Sequence, residues 1–222
     1  MIPFKVNFET QDTILQSFKS IADKISKSIL LKINDTFYRI VDFEFYVCSE
    51  NFKDITTHGD KLQLENGKLY VHASGVDITI GDGVNHGGIL LRSIIKLDVN
   101  SGKECGFMVQ QFYGPQIVAT EFFSNINSLY DFKANEIAII DVDEYAQTLH
   151  LCPPLKIFKT KRVGLNTEND YSNLPMRFII VLPKFPNFKQ KIKGIEDLLE
   201  EQIKNEIISA AEANEILGYK KF

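Results

Sequence analysis

Arg39-Ile40-Val41-Asp42-Phe43-Glu44-Phe45-Tyr46 is the stretch on which the predicted architecture depends. Apolar and polar side chains alternate along it, as they do in a β-strand that buries one face. One set of alternate positions is apolar and forms a suitable core face: Val41, Phe43 and Phe45. The other set carries two carboxylates and a phenol toward a cleft or toward solvent: Ile40, Asp42, Glu44 and Tyr46.

Glu44 is the residue of greatest chemical interest in this stretch. A glutamate that is held on a rigid strand between aromatic neighbours is well placed for an altered pKa and for activating water. The alternative is an edge strand that simply exposes its polar side to solvent. The rest of the chain has to discriminate between the two interpretations.

The composition is that of an ordinary globular protein. The chain has 222 residues, of which 44% are hydrophobic and 24% are charged, so it is long enough to bury a sizeable core. The formal net charge of −4 argues against general nucleic-acid binding, although a local basic patch is compatible with it. We expect one α+β domain at residues 1–190 and a helical appendix at residues 191–222, packed on the same domain.

The cysteines and the hydropathy pattern indicate the compartment. Cys48, Cys105 and Cys152 are widely spaced and form no CxxC pair, which argues against a disulfide framework or a Cys-rich zinc site. The N-terminus lacks the apolar stretch of a signal peptide, and no apolar run reaches membrane-spanning length. A soluble, cytoplasmic protein without a membrane partner is the expectation.

Periodicity predicts the main helices and strands. Apolar residues at helical spacing predict a helix from Ile14 to Ile25, with Asp12 or Thr13 as its N-cap. Asn34-Asp35 predicts a hairpin turn between strand 29–33 and the Glu44 strand. A helix is also predicted at 117–123, and residues 195–217 are expected to form one long or two short helices. The other predicted strands are 68–72, 76–80, 89–95, 137–140, 155–158 and 177–181.

Several blocks of the chain, in order, resemble the alkyladenine (3-methyladenine) DNA glycosylase family. The order and the approximate spacing hold from about Phe8 to Val181. The chain is similar to a divergent member, because each block matches only in part. The blocks are Arg39–Tyr46, Gly67-Lys68-Leu69-Tyr70-Val71, Gly88-Ile89-Leu90-Leu91-Arg92, Gly114-Pro115 with Glu121 to Asn127, and Arg162-Val163-Gly164-Leu165 followed by Leu174-Pro175-Met176-Arg177-Phe178.

The resemblance implies both a fold and a chemistry. The fold would be a curved, mostly antiparallel sheet with flanking helices. Members of the family flip a damaged purine out of double-stranded DNA and hydrolyse its N-glycosidic bond in base excision repair, without a metal or a cofactor. Glu44 falls on the glutamate that activates water, and Arg92 on an arginine close to that water. Tyr46 falls on an aromatic that stacks on the base, His58 on a hydrogen-bond donor, and His72 on a second stacking position.

The chain departs from the family pattern where the family contacts the duplex. The tyrosine that the family inserts into DNA falls in a gap within residues 72–75, and a gating asparagine is replaced by Gly81. A long basic loop is reduced to residues 59–66, which are nearly neutral. An acidic protein without a wedge residue is expected to bind duplex DNA poorly.

Two titratable residues replace aromatic residues of the family pattern. His72 and Asp77, together with Glu44, His58 and Arg92, predict a small charged cavity for a polar ligand such as a nucleotide or a modified nucleoside. The alternative is that His72 and Asp77 only form hydrogen bonds with neighbouring loops. Because these residues show no HxH or HxxxH spacing, no metal site is predicted.

The densest basic run provides the best candidates for phosphate contacts. It consists of Lys156, Lys159, Lys161 and Arg162, and its alternative role is to protect a solvated strand edge. Two functions therefore remain. The first is a DNA glycosylase-like hydrolase of a modified purine. The second is a family member that has lost the chemistry and binds a polar small ligand or a protein partner.

Overall fold

A strongly curled antiparallel sheet, half of a barrel, dominates the structure and is flanked by helices. The computed structural model of the chain describes residues 4–98, 107–126, 135–142, 151–165, 169–183 and 189–222. The expected α+β class with a curved antiparallel sheet is confirmed. Cys105, and Asn127 at the end of one of the matching blocks, lie outside the described residues.

The order of elements follows the sequence prediction closely. The helices are α1 (Gln11–Ser28), α2 (Pro115–Ser124), α3 (Ile195–Lys204) and α4 (Ala210–Leu217), with a 3-10 helix at Lys61–Leu64. The strands are β1 (Ile29–Ile33), β2 (Thr36–Ser49), β3 (Phe52–Lys53), β4 (Asn66–His72), β5 (Gly75–Ile80), β6 (His86–Asp98), β7 (Phe107–Tyr113), β8 (Ile137–Asp141), β9 (Lys156–Thr160) and β10 (Arg177–Val181).

Two long strands form the centre of the sheet. The main order is β4-β5-β6-β2-β1-β8, while β7 joins β6, and β3 and β10 join β2. The strands β2 and β6, with 14 and 13 residues, pair along most of their length. Their pairing brings Glu44 of β2 close to Arg92 of β6.

Helix α1 and the hairpin that follows it form as predicted, but the cap of the helix differs. Thr10 is the N-cap, and its side chain and that of Thr13 form a reciprocal capping box. The prediction of Asp12 or Thr13 as N-cap was therefore wrong. The turn between β1 and β2 places Asn34 at a φ of 52°, a left-handed conformation that asparagine tolerates well.

The core face of β2 packs on α1 through aromatic rings. Phe45 stacks on Phe18 of α1 with ring centroids 4.2 Å apart, and Phe43 stacks on Phe178 of β10. Ile40, which the alternation assigned to the polar face, is fully buried in the same core cluster as Val41. The alternation breaks there because the register of β2 and β6 shifts on both sides of Asp42.

The C-terminal segment forms two short helices rather than one. The chain turns between α3 and α4 at Glu206, which has a φ of 58°. Leu198 and Leu199 of α3 pack in a second cluster with residues of β9 and β10. Ile207 is exposed, and its neighbour Ile208 is buried in the second cluster. None of the helices in the described ranges combines the length and apolar composition that a membrane crossing requires.

We expect Phe18→Ala to destabilise the fold by about 3–5 kcal/mol, because it leaves a cavity against Phe45 in a fully buried stack. Phe123→Ala is the matched control, since Phe123 of α2 is 54% exposed, and it should change stability by less than about 0.5 kcal/mol. Urea unfolding followed by far-UV circular dichroism measures both, as the chain has no tryptophan. Equal midpoints for the two variants would contradict the assigned core.

Candidate functional site

Five of the predicted site residues line one cavity of about 350 Å³. The cavity lies between strands β2, β5 and β6, the loops at 54–64 and 162–165, and the start of α2. The predicted residues in its lining are Tyr46, His58, His72, Asp77 and Arg92. The residue types that were expected to converge do so on one side of the sheet.

Glu44 lies directly beneath this cavity rather than on its surface. Its side chain is fully buried, and both carboxylate oxygens accept hydrogen bonds. Oε2 accepts from Nη1 of Arg92 at 3.1 Å and from the hydroxyl of Tyr46 at 2.9 Å. Oε1 accepts from the backbone N–H of Val163 at 2.9 Å. The three donor residues all line the cavity, so the carboxylate is one hydrogen bond away from it.

Burial raises the pKa of the Glu44 carboxyl above its ordinary value. The charge of Arg92 and the hydrogen bonds from Val163 and Tyr46 oppose this shift, but desolvation is the larger effect. Burial also raises the pKa of Tyr46, and the negative charge of Glu44 adds to that rise. Tyr46 therefore stays protonated and donates its hydrogen to Glu44.

A local irregularity of the sheet directs Arg92 toward Glu44. Asp42 pairs with Ser93 and Phe43 pairs with Leu91, so that Arg92 is left out of the regular pairing. Such a bulge re-aims a side chain relative to a regular strand. Nη1 of Arg92 contacts Glu44, while Nε is buried, makes no hydrogen bond to a described residue and lies 4.0 Å from a carboxylate oxygen of Asp42.

A buried ion pair that the sequence analysis did not identify supports this arrangement. Arg177 of β10 donates from Nε and Nη2 to the two oxygens of Asp42, at 2.8 and 2.7 Å. Both side chains are almost completely buried. The groups Arg177, Asp42, Arg92 and Glu44 thus form a row of alternating charge. The only sequence signal for it was an arginine at the start of an otherwise apolar strand.

A second buried ion pair joins the two loops that border the cavity. Nη1 of Arg162 lies 2.5 Å from Oδ2 of Asp54, and its guanidinium lies 4.5 Å from the ring centroid of Tyr46. The other oxygen of Asp54 accepts hydrogen bonds from Thr56 and Asn169. The sequence analysis missed Asp54, and it placed Arg162 among the surface cations. The structure places Arg162 in the interior instead.

The remaining basic residues of that run do not form one surface. Lys156 lies beside Glu212 of α4. Lys159 lies close enough to Lys19 of α1 for burial and this like charge to lower its pKa. Lys161 is exposed at the start of the loop at 161–165. Lys156 and Lys159 therefore lie beside different helices, and phosphate contacts by Lys159 and Lys161 stay a prediction.

Hydrogen bonds fix the orientation and the tautomer of His72. Its Nδ1 accepts from the backbone N–H of Ser74 at 3.3 Å, which leaves Nε2 as the protonated nitrogen. Nε2 donates to Oδ1 of Asp77 at 3.0 Å, and Oδ2 of Asp77 accepts from the amide of Gln63 at 3.3 Å. A Cβ on Gly88 would lie 2.5 Å from Oδ2, so this arrangement requires glycine there.

His58 is the imidazole with a nitrogen available to a ligand. Its Nδ1 lies 3.3 Å from the hydroxyl of Tyr70, and Nε2 makes no hydrogen bond to any described residue. Its ring meets that of His72 edge to face, with the centroids 4.4 Å apart. Burial, followed by the neighbouring His72, lowers the pKa of His58. A neutral ring is therefore favoured in the cavity wall.

Small side chains surround the opening of the cavity. Residues Ala73 and Ser74 form the tight turn between β4 and β5. A Cβ on Gly75 would lie 2.9 Å from Pro115, so the hairpin packs closely on the start of α2. At Gly81, a Cβ would lie 2.2 Å from a backbone oxygen of the 3-10 helix, which leaves no space for a gating side chain.

A second cavity of about 560 Å³ lies between β10 and the C-terminal helices. Its lining is mainly apolar and includes Val181, Ile192 and Ile216, and it contains none of the predicted site residues. Within the described ranges, no three His, Cys, Asp or Glu side chains are arranged to hold a metal ion. The smaller cavity, with its titratable groups, is therefore the candidate site.

No protein-family model matches the chain. The chain is similar to the uncharacterized protein L759 of Acanthamoeba polyphaga mimivirus, with 25% identity over 214 residues. The matched region covers 83% of this chain and 92% of the viral protein. The name of that protein states no activity, so the similarity assigns no chemistry to the cavity.

Proposed function

We propose that this chain hydrolyses the N-glycosidic bond of a modified purine, with Glu44 as the base that accepts a proton from water. The observation that carries the proposal is the contact between Glu44 and Arg92 directly beneath the cavity. A buried carboxylate with a raised pKa is a stronger base than an exposed one. The site thus combines a proton acceptor, a cation and ring side chains that line the cavity.

Each group has a distinct part in the proposed reaction. Water attacks the anomeric carbon as the bond to the base breaks, and Glu44 takes the proton of the water. Positive charge develops on the sugar in the transition state, and a nearby carboxylate stabilises it. The purine leaves with the electron pair of the broken bond, and the rings of Tyr46, His58 and His72 lie around it.

Access to Glu44 requires a movement of one of its donors. In the structure, Arg92 and Tyr46 occupy Oε2, and Val163 occupies Oε1. In the proposed mechanism, the bound substrate draws Arg92 away from Oε2, and the attacking water takes its place. Arg92 has the freedom to do so because only Nη1 is held by a hydrogen bond to a described residue.

The fold supports the proposed likeness to the alkyladenine DNA glycosylases. The resemblance implied a curved, mostly antiparallel sheet, and the proposed base and its arginine lie on the paired central strands of such a sheet. Tyr46 and His58, which the resemblance assigned to one pocket, line the same cavity.

A second candidate function is that of a binding protein without catalysis. It is favoured by the full burial of Glu44 and by the three hydrogen bonds that its oxygens accept. A carboxylate in such surroundings can serve to hold Arg92 and Tyr46 in place. In that case the cavity would bind a polar small ligand and release it unchanged.

We expect Glu44→Gln to reduce base release at least about 100-fold, because the amide cannot accept the proton of water. The measurement is release of free base from substrates that carry alkylated, deaminated or etheno purines. Glu50→Gln is the matched control, since Glu50 is exposed at the end of β2. An unchanged rate in Glu44→Gln would exclude this residue as the base, and no release by the native protein from any substrate would favour the binding function.

The stability of Glu44→Gln checks that a loss of activity is not a loss of fold. The pKa of Glu44 is higher in the folded protein than in the unfolded chain, so the contribution of this group to stability falls as the pH rises between the two values. Glu44→Gln also leaves the Arg92 guanidinium without the opposite charge of Glu44, so we expect it to remain folded but to unfold at a lower urea concentration than the native protein. The urea midpoint of the native protein relative to that of Glu44→Gln should fall as the pH rises between the two values, and a rise would contradict the direction of this pKa shift.

As the pH is lowered, we expect the rate of base release to fall with an apparent pKa above 4.5, the ordinary value of glutamate. The reason is that the ionised form of Glu44 is the active one. Tyr46→Phe removes a hydrogen bond that lowers this pKa, so it should move the acidic limb of kcat/KM to higher pH. The Glu50→Gln control should leave the limb in place. A limb that moves to lower pH in Tyr46→Phe would refute the assignment.

A further inference from the structure

We infer that the ligand of the cavity is a free, uncharged nucleoside rather than a base within a DNA duplex. The inference relies on the proposed function for the type of bond that is cleaved. Whether the base is part of a free nucleoside or of DNA depends on other features: the charges around the site, its opening and its interior. The inferred ligand differs from the double-stranded DNA partner expected from the resemblance.

Recognition of a base within a duplex makes two demands on a protein. The base must be unpaired and unstacked, which costs a few kcal/mol. Proteins offset this cost with cationic contacts to phosphates and with a side chain that fills the gap in the stack. A protein that accepts a free nucleoside needs neither feature.

None of the predicted phosphate-contact residues, Lys159, Lys161 and Arg162, lines this cavity, although Lys161 is exposed next to its 162–165 loop. Arg162, the predicted contact closest to it in sequence, is buried against Asp54. Lys156 and Lys159 lie beside different helices, α4 and α1. Among the described residues that line the cavity, Arg92 is the only lysine or arginine, and its charge is balanced by Glu44 directly beneath it. The formal net charge of −4 adds a general repulsion of polyanions.

Among the described residues that line the cavity, no tyrosine, phenylalanine, leucine or methionine is exposed. The hairpin tip beside it consists of Ala73 and Ser74, which are both exposed and small. The lining also includes Pro115, against which the hairpin packs, and Gly164, and neither residue can reach far from the surface. An unstacked duplex would therefore not be supported at this edge.

The interior suits a neutral nucleoside better than a nucleotide. The rings of Tyr46 and His58 offer faces for a planar base, and Nε2 of His58 is available to a polar edge. The buried carboxylate of Asp77 is oriented by His72 and would repel a phosphate while accepting from hydroxyl or amino groups. A volume of about 350 Å³ falls at the lower end of the range of small-molecule sites, about 300–1,000 Å³.

The test compares two modified bases, each in four forms. The probes are 1,N6-ethenoadenosine and inosine, each as the free nucleoside, as its 5′-monophosphate, in a single-stranded oligonucleotide and in a duplex. Binding is measured by equilibrium dialysis with Glu44→Gln, and base release is measured with the native protein. We expect at least one nucleoside to bind about tenfold more tightly than its other three forms, with an affinity that changes less than about twofold between low and high salt.

A pair of histidine variants locates the binding in the cavity. His58→Ala should weaken nucleoside binding about tenfold, because it removes a ring that contacts the base. His86→Ala is the matched control, since His86 lies at the start of β6 outside the cavity lining, and it should leave binding unchanged. Equal effects of the two variants would overturn the assignment to this cavity.

The outcomes separate this inference from the proposed function. Tighter binding or faster cleavage of the duplex, the single strand or the monophosphate overturns the inference that the ligand is a free nucleoside. This holds even if hydrolysis by Glu44 is then demonstrated. The absence of binding by either nucleoside also overturns it. A nucleoside that binds as expected but is not cleaved supports the inference about the ligand and contradicts the proposed hydrolysis.

Discussion

The contact between Glu44 of β2 and Arg92 of β6 is the interaction on which the cavity depends. It joins the two central strands at the point where their register shifts, and both partners are largely shielded from water. A buried charge is tolerated only when a partner of opposite sign compensates for its lost hydration. Arg92 compensates the charge of Glu44, and Arg177 compensates that of Asp42, so the row of four charges is neutral as a whole. The cavity floor is thus a polar structure that is held within an apolar sheet.

One wall of the cavity is held by a further buried ion pair, and another is held by a hydrogen bond. The Asp54–Arg162 pair fastens two irregular loops to each other and places Arg162 on the ring of Tyr46. The His72–Asp77 pair fixes a ring in one orientation. Loops have few backbone hydrogen bonds of their own, so buried charge pairs give them a defined position. Burial makes Glu44 a better base and at the same time lowers the stability of the folded chain at neutral pH, as in many active sites.

Local pattern predicted most elements and some of the site. The alternation in β2 placed Phe43 and Phe45 in the core correctly, since a strand has a period of two residues wherever it is regular. It misplaced Ile40, because a bulge changes that period without a clear signal in the sequence. The expected cavity residues came mainly from the resemblance rather than from periodicity. Asp54 and Gln63 were missed because their partners lie far away in the chain, at Arg162 and Asp77.

The sequence by itself determined the class of fold, the order of elements and the chemical types that the site contains, because these depend on residue identity and on spacing along the chain. Only the tertiary structure decided which of the charges face a ligand. Arg162 and Lys161 are neighbours in sequence, but Arg162 is buried and Lys161 is exposed. Glu44 is sealed beneath the cavity while Arg92 lines it. Exposure depends on the neighbours that long-range packing supplies, and a linear pattern does not contain them.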